Sequence, residues 1–321
     1  MGRFVGGRCL QALPTLFIIS IVVFTLMRLA PGDPAVLRFG SQASLPENQP
    51  RIEALREEMG LKQPILVQYG IWLKDAASGN FGNSLKSNMP ARDLVASKVP
   101  VSLELVIGSM VVALVIAFPG GILAALGRGG RFDRLTLGFT ATGLAIPSFW
   151  LGLTLILVFS VALRVLPPGG FVPFTTNPLD NLLRLIMPAV TLGVFLGATL
   201  LRFLRADMIE ALGTDYVRTA RAKGLANRGV VLGHALHNAL IPVLTYAGIE
   251  VGSLLGGAVI IEQVFGWSGV GWLTVQSILD RDYTVVQAAV LYIAVALTLT
   301  NLVVDITYAL VNPRIRAQYG A

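Results

Sequence analysis

Two histidines, one cysteine and a few acids inside apolar stretches are the residues of this 321-residue chain whose types and spacing could do chemistry. His234 and His237 stand three apart on one helix face, a spacing that suits two metal ligands. Nothing completes such a site: Cys9 is remote and the nearby acids lie upstream, so a polar start to an apolar helix is the preferred reading. With both histidines in one stretch, a Ser, His and Asp triad has no candidates. None of the five lysines follows a glycine at the spacing of a phosphate-cradling loop, so the chain carries no ATPase of its own. GWSGVG at Gly266 to Gly271 departs from the dinucleotide fingerprint and follows no strand, which makes it a membrane-interface turn. Glu250 is different, because it interrupts an apolar run and is flanked by Gly248, Gly252 and Gly256 at the four-residue spacing that lets helices approach closely in lipid. A carboxylate at that depth is costly unless paired or facing water. Two roles stay open for it: lining a translocation path, where it would meet a substrate's amino group, or bonding neighbouring helices. Asp305, near the end of the last run, pairs or snorkels. No metal site and no bound cofactor are expected.

The elements that must hold these residues are membrane spans. The chain is 54% hydrophobic and 13% charged, with a mean hydropathy of +0.71, too apolar for an ordinary soluble domain. A net charge of +7 does not indicate nucleic acid, since the basic residues gather at the ends of apolar runs without interleaved aromatics. Cys9 allows no internal disulfide and is expected to pack. The uncharged run from Cys9 to Met27 is too long for a signal-peptide core and LMRLAPGD lacks a small-x-small cleavage site, so an uncleaved anchor is expected. Further spans are expected at about 100–126, 135–163, 182–204, 237–261 and 284–310, the second of these kinked at Pro147. Gly193 and Gly197 mark a second close-packing face. Residues 31–99 form a nearly neutral extracytoplasmic region, with a short helix over Arg51 to Met59 stopped by Gly60 and another opened by Pro64. Residues 262–283, rich in Trp and Gly, form an external amphipathic segment at the interface, and 311–321 form an inner tail. Inner segments carry Arg3, Arg8, Arg128, Arg131, Arg134, Arg202, Arg205, Arg218, Arg221, Lys223, Arg228, Arg314 and Arg316, whereas the short outer loops carry only Arg164, Arg184 and Arg281. That asymmetry puts both termini in the cytoplasm and predicts an all-α integral membrane protein of six transmembrane helices.

Between the fourth and fifth spans lies a basic loop, 205–236. Thr214 or Asp215 can cap a short helix there, Arg221 and Lys223 fall in its last turn, and Gly224 supplies a left-handed stop. From Asp215 to Lys223 it is roughly 13 Å long, a peg sized for one groove on a partner. Tyr216, Val217 and Ala220 are expected near one face, with Arg218 and Arg221 on another. A solvated basic loop is the competing reading.

This loop resembles the cytoplasmic coupling loop of binding-protein-dependent ABC importer permeases, whose signature is Glu-Ala-Ala, three residues, then Gly. Arg218, Thr219, Ala220 and Gly224 occupy the matching positions; Ala220 and Gly224 fit, and Arg218 and Thr219 depart. YVRTARAKG followed by HALHNALIP is similar to the peptide and nickel branch. So are PGDP at Pro31 to Pro34, MGLKQP, GNFGNS, GAVIIEQVFGWSGVGWL, RDY and NLVVDITY before NPRIR, in the family's order. Asn312 stands where the family commonly has Asp. The resemblance, to dipeptide and oligopeptide permeases, implies the type I ABC importer permease fold in a bacterial inner membrane. It implies a second homologous permease, two ATP-binding subunits that use ATP and Mg, and an extracytoplasmic peptide-binding protein as partners. It also assigns Asp215, Tyr216, Arg218, Thr219, Ala220, Arg221, Lys223 and Gly224 to an ATPase-coupling helix. Alternatives are a nickel or glutathione permease of the same branch, or a secondary transporter driven by an ion gradient.

Overall fold

The computed structural model describes residues 2–29 and 32–311, which are almost wholly helical. In order the helices are α1 (Gly2–Leu29), α2 (Pro34–Phe39), α3 (Gln49–Glu58), α4 (Ile65–Ala77), α5 (Ala91–Leu126), α6 (Arg131–Ala145), α7 (Ser148–Leu155), α8 (Pro178–Leu212), α9 (Asp215–Ala222), α10 (Asn227–Gly229), α11 (Leu236–Phe265), α12 (Val270–Leu279) and α13 (Tyr283–Val311). Pro31 of the PGDP run and the NPRIR tail lie outside the described residues, as does the Cys9 side chain.

Four stretches are long and apolar enough to cross a membrane singly: Gly6–Leu29, Ala91–Leu126, Pro178–Leu212 and Tyr283–Ile306. Others do so only as bent pairs. Residues 131–145 and 148–162 fold by 102° at Ile146 and Pro147, and 227–240 and 242–252 bend by 44°. Each break falls at a proline, which lacks the N–H that would continue the helix and crowds the preceding turn. Counted as one span each, these two pairs bring the total to the expected six; a third pair, Gly256–Phe265 with Val270–Leu279, raises the upper count to seven.

The chain divides into two compact units. The first is built on Ser102–Ser268 with the end of α13 from Leu299. Its axis is α8, started by Asn177, whose side chain accepts the Asp180 N–H at 3.2 Å, and by Pro178. Met187 to Leu204 of this helix are largely buried. The glycine reading holds here: a side chain at Gly193 would lie 2.7 Å from the Ser109 carbonyl and Val112 of α5, and one at Gly197 3.1 Å from Ile116. Gly248 likewise abuts Val304 of α13, whereas Gly256 meets nothing within 4 Å. Trp267 is fully buried, edge-on to Phe171 at 5.0 Å. The Gly170 N–H donates to the Phe265 carbonyl at 2.7 Å, so the PPGG loop closes the end of α11.

The second unit comprises Gly6–Val101 and Gly269–Thr298. α4 packs its Tyr69 and Trp72 on Phe24 of α1, and the Tyr69 hydroxyl bonds Ser20 at 2.8 Å. Sequence runs far apart meet here. Asp33 of PGDP accepts the Ala35 N–H at 2.8 Å and the Arg56 Nε at 2.6 Å. Gly60, at φ +65°, ends α3 as expected. Asp282 of RDY is buried and accepts the Ser84 hydroxyl of GNFGNS at 2.5 Å and the Leu85 N–H at 3.1 Å. Phe81, Ala91, Val95, Val270, Val285 and Ala289 pack beside that contact.

Candidate functional site

α9 forms as the loop composition predicts, and its ending follows the Schellman pattern. Gly224 takes φ +77°, its N–H donates to the Arg221 carbonyl at 3.0 Å, and the Leu225 N–H reaches the Ala220 carbonyl at 3.4 Å. Thr214 occupies the N-cap position, but its hydroxyl turns back onto the Ala211 carbonyl at 2.5 Å and caps nothing. The face assignment also changes. Val217 and Ala220 are buried, seated near the π-helical turn Val230–Ala235, while Tyr216 is 41% exposed. Tyr216 sits about 40° round the helix from Ala220 and about 100° from Val217, at the edge of the seat. Asp215, Tyr216, Arg218, Thr219, Arg221, Lys223 and Gly224 all face outward, joined by exposed Leu225. Arg218 pairs with Asp215 at 3.2 Å, an exposed contact worth little by itself.

A charge clasp not foreseen from the sequence ties the start of α6 to α8. Buried Asp133, in the turn before the apolar run from Leu135, takes the Arg205 guanidinium through two bonds, that from Nη2 at 2.8 Å, and the Gly129 N–H at 2.8 Å. These donors hold its carboxyl down to about 2, Arg205 being the main cause. A signal was present: Arg205 stands at the inner end of one apolar run and Asp133 at the start of another.

Glu250 is half-buried on the wall of a 330 Å³ cavity. The broken helix supplies Leu144 to Ser148, α8 supplies Leu192, Phe195 and Leu196, and α11 adds Leu254 and Gly257. Tyr246, one turn earlier on α11, stands within hydrogen-bonding reach of the Glu250 carboxylate and stacks on Phe203 at 4.4 Å. The break at Pro147 and the acid on α11, read separately in the sequence, therefore share one site. His234 and His237 are both exposed, and the intervening π-helical turn alters the spacing assumed for a shared face. Among the described residues no three His, Cys, Asp or Glu side chains cluster as a metal site.

Comparisons with known proteins agree with this architecture. Residues 117–317 match the model for the binding-protein-dependent transport system inner membrane component, and residues 1–106 match its N-terminal membrane-component model. The chain is 42% identical over 316 residues to the glutathione transport system permease protein GsiC of Escherichia coli K12, covering 98% of this chain and 99% of the relative. GsiC of Shigella dysenteriae serotype 1 matches to the same extent. Among solved structures, the MetNI methionine ABC transporter in an inward-facing conformation has the same fold, with a TM-score of 0.52 and 19% identity over 68% of this chain and 96% of that one. These matches set aside the gradient-driven alternative. From its two halves alike, the chain belongs to the inner-membrane components of binding-protein-dependent transport systems, as a permease of an ABC importer.

Proposed function

We propose that this permease forms half of the path of an ATP-driven importer for small peptides of the glutathione class, working by alternating access with a second homologous permease. Two partner ATPases, using ATP and Mg, drive it through α9, and an extracytoplasmic binding protein delivers the cargo. Both termini lie in the cytoplasm in this reading. The observation that carries it is the build of α9: Val217 and Ala220 face its own chain, while Tyr216 and Leu225 are exposed among Arg218, Arg221 and Lys223. A merely solvated loop has no need of an exposed tyrosine and leucine amid its charges, whereas a groove on a partner protein does. In the unit of Gly6–Val101 and Gly269–Thr298, a 570 Å³ cleft bearing Arg28, Arg38, Glu58 and Asp75 offers both signs of charge to a docking protein. The cargo class rests on the relatives named for glutathione transport.

Two measurements test this. A carboxyl-tagged chain, extracted gently from its membrane, is expected to bring down ATP-binding subunits and a second permease; recovery alone from conditions that preserve such complexes overturns the reading. In the reconstituted complex, Gly224→Leu forces a side chain into φ +77° and distorts the end of α9. Glutathione uptake should collapse while ATP turnover persists, and wild-type uptake in that variant would remove α9 from the coupling.

A further inference from the structure

The cavity beside Pro147 carries an inference that rests on the permease reading and narrows it. At 330 Å³ the space is large enough for one end of a small molecule. Its wall is apolar, drawn from Leu144, Leu192 and Leu254 among others, and among the described residues its polar side chains are Ser148 and Glu250. Among the described residues, Asp133 pairs with Arg205, Asp180 with Arg184 and Asp215 with Arg218, and Glu250 is in none of these pairs. Arg202 acts on Tyr246 and lies over the Phe203 ring at 5.7 Å. The hydroxyl of Tyr246 supplies one hydrogen bond and no charge, so a carboxylate in the middle of an apolar span is left with acceptor capacity turned toward the cavity.

We infer that Glu250 is the counter-ion for a cargo ammonium group, and that the pocket between the Pro147 break and α11 is the subsite for the amine end of a peptide. The apolar walls exclude water from the pair and strengthen it. They also select against a carboxylate end, which would face Glu250 with like charge.

The test uses the reconstituted importer with its binding protein. A peptide and its N-acetyl form are chosen so that the binding protein holds both, and uptake is compared for the two. Glu250→Gln should lower the ratio of amine to N-acetyl uptake by about tenfold, the effect of roughly one lost charge contact. An unchanged ratio overturns the subsite. Failure of the permease reading looks different, because the unaltered complex would then show no ATP-dependent uptake of either peptide. A second measurement needs no cargo. In a chain carrying Cys9→Ser and Leu254→Cys, a cationic methanethiosulfonate reagent should modify the thiol about tenfold faster than an anionic one. Adding Glu250→Asp should keep that preference and adding Glu250→Gln should bring the ratio near one. Equal ratios in all three proteins would discard Glu250 as a cation site.

Discussion

Glu250 and Glu262 are twelve residues apart on the same helix, and their surroundings differ completely. Glu262 is 1% exposed and accepts the Ser102 hydroxyl of α5 at 2.6 Å. Glu250 is half-buried, with Tyr246 of its own helix beside it and a cavity in front. The first acid joins two helices. The second is left facing space that its own chain does not fill. What makes Glu262 a structural acid is the donor that another element brings to it.

Removing acids by degree of pairing sharpens that contrast. Asp133→Ala should cost most, about 3 kcal/mol, because it leaves the Arg205 guanidinium without its partner at a mostly buried position. Denaturant-titrated unfolding in detergent measures it, and a loss no larger than that at Glu250 would refute the ranking. Glu262→Ala comes next at about 2 kcal/mol, from an orphaned Ser102 hydroxyl and the space left behind; Glu262→Gln keeps an acceptor and should recover about half. Glu250→Gln should stay within about 0.5 kcal/mol. The smallest effect is on pH. The Asp133 carboxyl is held below its unfolded value near 3.8, so its stabilisation is complete above about pH 4 and fades as pH falls toward about 2. The gap between the unaltered chain and Asp133→Ala should therefore narrow over that interval and stay constant above it.

Much of the fold was legible because lipid imposes long apolar runs. Cys9 to Met27 and the interruption at Pro147 could be read directly. So could Gly60 and Gly224, since few residues other than glycine adopt the left-handed turn each requires. What could not be read is pairing across the chain. Ser84 and Asp282 are 198 residues apart, and Asp133 and Arg205 are 72 apart; no local period links them. Nor could the contact of Trp267 with Phe171, which comes from a distant loop, be read from the sequence. Tyr216 was expected on the face of Val217 and Ala220, and it stands 41% exposed at the edge of that face.

The seat of α9 also has a mechanical role. Burial of one valine and one alanine holds the helix to its own chain with about 2 to 3 kcal/mol. The backbone ties α9 directly to the end of α8 and, through α10, to α11, so this seat sets the orientation of the helix while the chain itself carries any pull on its outer face.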